Sequence, residues 1–317
     1  MSAFKNIPTV TIAKGVVMPL VGLGTWQSPA DAVRKATLHA LRNGYKHIDT
    51  AAIYGNEKEV GEGIKESGLS RDQFFVTTKL WNSHHAPEDV AIGLDESLEK
   101  LGLDYVDLYL MHYPVAHDKQ EFAKGNLVVR DISYNETWKA MEELLDTGKV
   151  KAIGISNFAL CEVEDLLNNC TVKPAVHQME IHPYLKQEEF LKYHADKGIH
   201  VTAYSGFGNQ NPSYQLSGEP RILSHPKVLE ISENTAKTPA QILVAWAIQR
   251  GVSIIPKSIT PERIDENLVG QGIKLDEEDF KAISSLGYNF RYCDYGDSVG
   301  YQFYKDLECP GKIPILA

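Results

Sequence analysis

The sequence has few of the features that mark metal-binding, secreted or membrane-spanning proteins. Its 317 residues include only four cysteines, and Cys161, Cys170, Cys293 and Cys309 lack the paired spacing of a zinc site. No apolar run approaches the roughly 18 residues that a membrane helix needs. The opening MSAFKNIPTV shows no basic segment followed by an apolar one, as a secretory signal would. We therefore expect a cytoplasmic protein with reduced thiols and no metal.

Positive charge is also scarce. Lysine and arginine number 32 against 42 aspartates and glutamates, which gives a formal net charge of −10. An acidic chain is a poor ligand for nucleic acid or an anionic membrane, so we expect neither partner, although a local basic pocket for a phosphate stays open. The composition is that of a globular protein, and no linker or low-complexity segment interrupts the chain. The sequence predicts a single domain over residues 1–317.

Short apolar or β-branched runs alternate eight times with amphipathic segments. The candidate strands are 20–24, 45–49, 74–80, 105–111, 150–156, 174–180, 200–205 and 252–256. The candidate helices are 30–43, 56–67, 87–101, 134–147, 159–169, 187–197, 239–250 and 261–270. Eight such units predict an α/β fold, the (β/α)8 or TIM barrel.

Turn residues support this division of the chain. Asn56, Pro87 and Thr238 stand where helices are predicted to begin. Glycines that suit helix ends precede several candidate strands: Gly44, Gly102, Gly148, Gly198 and Gly251.

The two ends of the chain fall outside the eight units. VTIAKGVVMPL, before the first strand, predicts a β-hairpin that turns at Lys14–Gly15. We expect this hairpin to plug the N-terminal face of the barrel. The tail 287–317 is irregular and rich in aromatic residues, which predicts a long C-terminal loop that forms an ordered flap.

Four ionisable residues stand at or just after the ends of three successive candidate strands. They are Asp49, Tyr54, Lys79 and His112. Because the carboxyl ends of barrel strands converge on one face, and this face carries the chemistry of the fold, these side chains can meet in one pocket. The spacing therefore predicts a proton-donating site built around a tyrosine.

The residue types suit the reduction of a carbonyl group. A free phenol has a pKa of about 10, too high for efficient acid catalysis near neutrality. We expect Lys79 to lower the pKa of Tyr54, Asp49 to keep Lys79 charged, and His112 to donate a hydrogen bond to the carbonyl oxygen. Taken singly, the tyrosine and histidine can be core residues and the other two a structural ion pair. A Schiff-base role for Lys79 is the chemical rival.

Ordered motifs along nearly the whole chain resemble the aldo-keto reductase family. They are GLGTW (22–26), GYKHIDTAAIYGNEKEVGEGI (44–64), TTKLWN (77–82), DLYLMHYP (107–114), GISNF (154–158), HQMEIHPYL (177–185), AYS (203–205) and IPKSITPERIDEN (255–267). The resemblance implies that Tyr54, Lys79, Asp49 and His112 form the catalytic tetrad. It also implies a monomer.

The resemblance favours an NADPH-dependent aldehyde or aldose reductase. Such an enzyme converts small hydroxyaldehydes or sugars to polyols. The reverse oxidation, such as glycerol dehydrogenase activity, would use the same residues. Two other readings stay open: a cofactor-binding regulatory subunit with little turnover, and an accumulated structural protein.

The cofactor cannot be held by a Rossmann loop, because no GxGxxG motif opens a helix after the first strand. Lys257 and Ser258 instead follow the eighth strand, and Arg263 lies in the first turn of the next helix. In barrels this position commonly binds phosphate. Two cations and a hydroxyl suit the 2′-phosphate of NADPH better than the ribose hydroxyl of NADH. By resemblance, Glu266 and Asn267 lie along the adenine; a solvated basic turn is the alternative.

The nicotinamide end of the site is expected by resemblance. Ser156, Asn157 and Gln178 would bind the carboxamide, Tyr204 would stack on the ring, and Ser205 would contact the pyrophosphate. Thr25 and Trp26 would also border the cofactor. Asn157 is also a candidate N-cap for the helix at 159–169, and Gln178 and Tyr204 are candidate core residues.

The substrate pocket is expected to have aromatic walls. The predicted residues are Trp26, Trp81, Tyr113 and, from the flap, Tyr301 or Phe303. The two tryptophans can also be ordinary packing residues.

Two departures from the family pattern bear on cofactor and substrate. Tyr113 stands where many members have tryptophan, and Gly206-Phe207-Gly208 replaces a common Pro-Leu-Gly. We expect the first change to add a hydroxyl to the pocket and the second to loosen the loop over the pyrophosphate.

Overall fold

A closed barrel of parallel strands forms the centre of the molecule. The computed structural model describes residues 7–209 and 218–307. The strands are β1 (Thr9–Ala13), β2 (Val16–Pro19), β3 (Leu23–Gly24), β4 (His47–Asp49), β5 (Phe75–Leu80), β6 (Val106–Met111), β7 (Ala116–His117), β8 (Val129–Arg130), β9 (Val150–Ser156), β10 (Val176–Glu180), β11 (His200–Tyr204) and β12 (Ser253–Ile254).

The eight barrel strands lie in the order β12-β11-β10-β9-β6-β5-β4-β3, and all their pairings are parallel. Backbone hydrogen bonds also join the two ends of this order. Gly22 N–H donates to Ile254 O at 3.0 Å, and Ile254 N–H donates to Leu20 O at 2.8 Å. The predicted (β/α)8 barrel is confirmed.

Helices surround the barrel. They are α1 (Ala30–Arg42), α2 (Glu57–Ser67), α3 (Pro87–Leu101), α4 (Lys119–Ala123), α5 (Tyr134–Glu143), α6 (Leu160–Asn169), α7 (Glu188–Lys197), α8 (Pro226–Thr235), α9 (Pro239–Gln249), α10 (Pro261–Val269), α11 (Glu277–Ile283) and α12 (Gly296–Val299). Thr238 caps α9 as predicted, by accepting a hydrogen bond from Gln241 N–H at 3.3 Å.

The N-terminal hairpin packs against the end of the barrel at which the strands begin. Strands β1 and β2 pair antiparallel around the turn at 14–15. Val16 and Met18 of β2 belong to one buried cluster with Phe75 and Val176, which open β5 and β10. The apolar side chains of the hairpin therefore close the end of the barrel at which strands begin, as predicted.

Helix α2 begins after Asn56 as predicted, but two local features differ from what the sequence indicated. Asn56 precedes α2, but its side chain does not cap the helix; its amide donates to Thr25 O at 3.0 Å and to Ser28 O at 3.1 Å. In addition, no sequence pattern indicated α8, which lies between β11 and α9, or the paired strands β7 and β8 in the loop after β6. The two strands have two residues each, and α8 is a ten-residue helix that lies outside the eight repeated units.

Three histidines in different parts of the structure are shielded from water. Burial lowers the pKa of His85 to about 3 and the pKa of His194 and of His200 to about 4. These imidazoles are therefore neutral in the folded protein at neutral pH. In the unfolded chain they bind a proton near pH 6.5.

We predict that acid destabilises the fold through these histidines. Because the folded pKa lies below the unfolded one, stability is complete above about pH 6.5 and falls as the pH drops towards 4. His85, 1% exposed, contributes about 2 kcal/mol of this loss at pH 5. His85→Leu should therefore reduce the proton uptake on unfolding by about one. The measurement is urea unfolding between pH 5 and 8; an unchanged pH slope contradicts the assignment.

Candidate active site

A buried ion pair lies at the centre of the carboxyl face of the barrel. Lys79 Nζ, from β5, is 2.5 Å from Asp49 Oδ1 at the end of β4, and it also donates to Thr50 O at 2.8 Å. The other oxygen of Asp49 accepts from Gln178 Nε2 of β10 at 2.8 Å. Burial acts to lower the pKa of Lys79, but the attraction of Asp49 and Tyr54 is larger in sum and raises it. Lys79 is therefore charged at neutral pH.

Tyr54 lies beside this ion pair, on the short 3-10 helix Ala52–Tyr54. Its hydroxyl is 3.4 Å from Lys79 Nζ. Burial raises the pKa of Tyr54, and Lys79 only partly offsets this effect, so the pKa stays above the ordinary value for a phenol. The prediction of a lowered pKa is therefore wrong for this structure, because desolvation outweighs the single cation. The phenol keeps its proton.

His112, which follows β6 directly, also lies beside Tyr54. The two rings meet edge to face with their centroids 5.8 Å apart. Burial, with a smaller contribution from the charge of Lys79, lowers the pKa of His112 well below its ordinary value. The imidazole is therefore neutral and keeps one N–H to donate. Its Nδ1 has no hydrogen-bond partner within residues 7–209 and 218–307.

Asn157 connects several parts of the site. Its backbone is in the left-handed region, with φ 64°, a conformation that asparagine tolerates better than most residues. Its Nδ2 donates to His112 O at 3.0 Å, and its Oδ1 accepts from Tyr204 Oη at 2.7 Å and from Tyr304 Oη at 3.3 Å. The predicted cap role is wrong, because α6 begins at Leu160.

The hydrogen bond to Asn157 fixes the ring of Tyr204 at the end of β11. Ser156 is buried, and its hydroxyl accepts from Asn157 Nδ2 at 3.1 Å. Ser205 follows Tyr204 with φ 51°, and its Oγ lies 3.4 Å from Cys293 Sγ in the C-terminal segment. These residues form a polar edge beside an oriented aromatic ring, which fits a nicotinamide.

The start of α10 fits a phosphate. Lys257 and Arg263 are both exposed, and Arg263 lies in the first turn of the helix. The residue at the N-cap position, Thr260, makes no side-chain hydrogen bond to this turn. Ser258 Oγ instead accepts from Thr260 N–H at 3.1 Å and shapes the loop. The cations and the helix end therefore favour an anion at this position.

Two further predicted residues share the face of α10 that carries Arg263. Glu266 and Asn267 lie three and four residues after it, which places them one turn along the helix. Glu266 is half-buried and Asn267 is buried. A face of this kind suits a flat ring held next to a phosphate site.

Aromatic side chains form a continuous wall next to His112. Tyr113 stacks on the His112 ring, with centroids 5.1 Å apart, and the Trp81 ring meets both edge to face at 5.3 and 6.0 Å. Phe303 of the C-terminal segment lies 5.0 Å from the Tyr113 ring and 4.9 Å from that of Tyr301. The wall therefore joins the barrel to the described part of the flap.

The loop that follows β3 lies next to Asp49. Thr25 is buried, and its hydroxyl donates to Asp49 O at 3.1 Å. Trp26, the next residue, is 38% exposed. The loop after β11 turns at Gly208, whose N–H donates to Ser205 O at 2.7 Å; its continuation at 210–217 lies outside the described residues.

Sequence reasoning missed Tyr304 and the bond between Gln178 and Asp49. Tyr304 is fully buried, and Arg291 lies 3.8 Å from the centre of its ring. The aromatic cluster of the tail was the available signal, but nothing in its spacing showed which ring faces inward. The chemical roles of the other site residues stay predictions.

Comparison with known proteins agrees with this geometry. The sequence profile described as "Aldo/keto reductase family" matches residues 20–287. The chain belongs to this family. Among its relatives, an uncharacterised oxidoreductase of Schizosaccharomyces pombe is 49% identical over 298 residues, which cover 91% of this chain and 92% of that protein. The human aldo-keto reductase family 1 member A1 is 44% identical, with coverage of 89% and 90%.

Solved structures of aldo-keto reductases share the fold. The enzyme of Bombyx mori, solved in complex with NADP, matches with a TM-score of 0.87 and 36% identity over 94% of this chain and 98% of that one. The aldose reductase of Schistosoma japonicum gives a TM-score of 0.86 at the same identity and coverage.

The thiols of this aldo-keto reductase lie at the ends of α6 and in its C-terminal segment. Cys161 and Cys170 are free thiols, Cys293 Sγ lies 3.4 Å from Ser205 Oγ, and Cys309 lies outside the described residues. Within the described part of the chain, no helix is long and apolar enough to cross a membrane.

We predict that breaking the ion pair on one side destabilises this aldo-keto reductase. Asp49→Asn leaves the Lys79 ammonium buried without a carboxylate, which should cost about 3–5 kcal/mol. The double variant Asp49→Asn/Lys79→Met removes the unpaired charge and should recover much of this loss. Urea unfolding at pH 7 measures both. A loss below about 1 kcal/mol in the single variant contradicts the prediction.

Proposed function

We propose that this aldo-keto reductase is an NADPH-dependent aldehyde or aldose reductase. It reduces small hydroxyaldehydes or sugars to alcohols or polyols, and the reaction is reversible. The observation that carries the proposal is geometric: the Tyr54 hydroxyl lies 3.4 Å from the charged Lys79 ammonium, which can stabilise the phenolate that proton donation leaves. The relatives named as aldo-keto and aldose reductases support the substrate class.

The residues of the site act on the carbonyl oxygen. NADPH, when bound, supplies a hydride to the carbonyl carbon. Tyr54 donates its proton to the oxygen as negative charge develops there, and the Lys79 ammonium stabilises the phenolate that remains. Asp49 keeps Lys79 protonated and in place. His112, which is neutral, donates a hydrogen bond that orients the carbonyl.

Residues of this chain would hold the cofactor at both ends. Ser156, Asn157 and Gln178 would bind the carboxamide, and the Tyr204 ring would support the nicotinamide. Lys257, Ser258 and Arg263 would bind the 2′-phosphate, which would favour NADPH over NADH. The NADP complex of the Bombyx mori relative supports this choice of cofactor. Thr25, Trp26, Ser205, Glu266 and Asn267 complete the binding surface.

We further propose that the enzyme is a single-domain cytoplasmic monomer. Its partner is the small carbonyl substrate alone, without nucleic acid, membrane or metal. The net charge of −10 supports the first two exclusions. Trp26, Trp81, Tyr113 and Tyr301 border the substrate.

We predict turnover that depends on the Tyr54 hydroxyl. The wild-type enzyme should oxidise NADPH with glyceraldehyde, xylose, a uronic acid or an aromatic aldehyde. Tyr54→Phe should lower kcat at least about a hundredfold, because the transferred proton is lost, while the Kd for NADPH stays the same. Initial rates and fluorescence titration measure the two effects.

The matched control for this variant is Tyr193→Phe, which removes a phenol hydroxyl from α7 and should keep full activity. Retained turnover in Tyr54→Phe would contradict the assignment of Tyr54 as the proton donor. Wild-type protein that binds NADPH tightly but turns over no carbonyl would favour the alternative function, a cofactor-binding regulatory subunit.

We predict that Arg263 reads the 2′-phosphate. Arg263→Ala should raise the KM for NADPH about tenfold or more, because one charge-assisted contact to the phosphate is lost. The KM for NADH should change little, since NADH lacks this phosphate. Initial rates over a range of each cofactor give both values. An equal change for the two cofactors would place phosphate recognition elsewhere.

A further inference from the structure

The N-terminus of α6 receives its cap from a distant part of the chain. Ala159 occupies the N-cap position, and its methyl group accepts no hydrogen bond. The carboxylate of Asp306 lies there instead. Its Oδ1 accepts from Leu160 N–H at 2.9 Å, and its Oδ2 accepts from Cys161 N–H at 2.6 Å. Two backbone donors that open the helix are therefore satisfied by one side chain of the C-terminal segment.

A second contact joins the same two elements. Glu162, in the first turn of α6, is only 2% exposed. Its Oε2 accepts from Ala159 N–H at 2.8 Å, and its Oε1 accepts from Tyr301 Oη at 2.5 Å and lies 3.3 Å from Lys305 Nζ. Tyr301, Lys305 and Asp306 of the C-terminal segment therefore all contact residues 159–162.

The residues between these contacts face the proposed active site. Phe303 packs on the Tyr113 ring, and Tyr304 donates to Asn157 Oδ1 at 3.3 Å. Tyr301 and Asp306 fasten the chain on either side of this pair. The position of the Phe303 ring in the wall therefore depends on contacts made outside the pocket.

Other helices of this chain show that a remote cap is not required. Ser133 and Thr238 cap α5 and α9 from the position next to each helix. A serine at 159 would serve α6 in the same way. With alanine there, no neighbouring side chain caps the N–H groups of Leu160 and Cys161, so docking of the C-terminal segment adds a cap to α6 and the two are energetically coupled.

We propose that Asp306 is a positioning residue that holds the segment 301–306 against the substrate pocket. By capping α6, it keeps Phe303 in the aromatic wall and so sets the affinity for bulky, apolar carbonyl substrates. The statement about affinity rests on the proposed function; the statement about docking does not.

The test compares Asp306→Ala with the wild-type enzyme. We expect the KM for an aromatic aldehyde to rise about fivefold, the size of effect that follows from losing one helix cap, while kcat and the KM for glyceraldehyde change little. Amide hydrogen exchange in 301–307 should become faster. Exchange needs no turnover, so it decides the docking claim even if the protein reduces no carbonyl.

Two control variants separate positioning from plain stability. Asp306→Ala/Ala159→Ser gives α6 a local cap, and we expect it to regain thermal stability and protection at 160–161 but neither the low KM nor slow exchange at 301–307. Asp276→Ala removes the equivalent cap of α11, where Asp276 Oδ1 accepts from Asp279 N–H at 2.8 Å, and should lower stability without changing the ratio of the two KM values.

Three results would overturn the proposal. The first is unchanged exchange at 301–307 in Asp306→Ala. The second is faster exchange there with an unchanged ratio of KM values for the two aldehydes. The third is full recovery of the KM for the aromatic aldehyde in Asp306→Ala/Ala159→Ser, because the carboxylate would then only stabilise a helix.

Discussion

The buried ion pair of Lys79 and Asp49 is the constraint on which the rest of the site depends. Removing both charges from water is costly unless every hydrogen-bonding position around them is used. Here Thr50 O accepts from the ammonium and Gln178 donates to the carboxylate. These four residues come from β4, β5, β10 and the turn after β4, so the pair is satisfied only when the barrel has closed correctly.

The second organising element is the left-handed turn at Asn157. An asparagine in this conformation carries backbone strain, and its side chain offsets that strain with hydrogen bonds to His112 O and to two tyrosine hydroxyls. One of these tyrosines, Tyr204, ends a barrel strand, whereas Tyr304 belongs to the C-terminal segment. The Asn157 side chain therefore connects His112, after β6, with the Tyr204 ring that is proposed to support the cofactor. It also connects both residues with Tyr304 of the C-terminal segment.

The sequence was informative where structure follows from local pattern. Strand periodicity predicted the barrel, and placement at strand ends predicted that Asp49 and Lys79 would meet. Properties that depend on the tertiary environment of a residue could not be predicted from local pattern. The pKa of Tyr54 depends on how completely the walls exclude water, and the cap of α6 comes from a residue 145 positions away from Cys161. The contacts of the Asn56 side chain could not be predicted for the same reason, because its amide donates to backbone carbonyls in a neighbouring loop and does not cap its own helix.

The two groups beside Tyr54 differ in charge because only one of them has a carboxylate. Burial lowers the pKa of His112 and acts in the same direction on Lys79, yet Asp49 reverses the outcome for Lys79 alone. A charged His112 would place a second cation in the same cavity, and Lys79 itself opposes that state. In the proposed mechanism, the charged Lys79 beside Tyr54 stabilises the phenolate left after proton donation, and the neutral His112 donates a hydrogen bond to the carbonyl oxygen without competing to protonate it. The position of Asp49 therefore accounts for the different charges of Lys79 and His112.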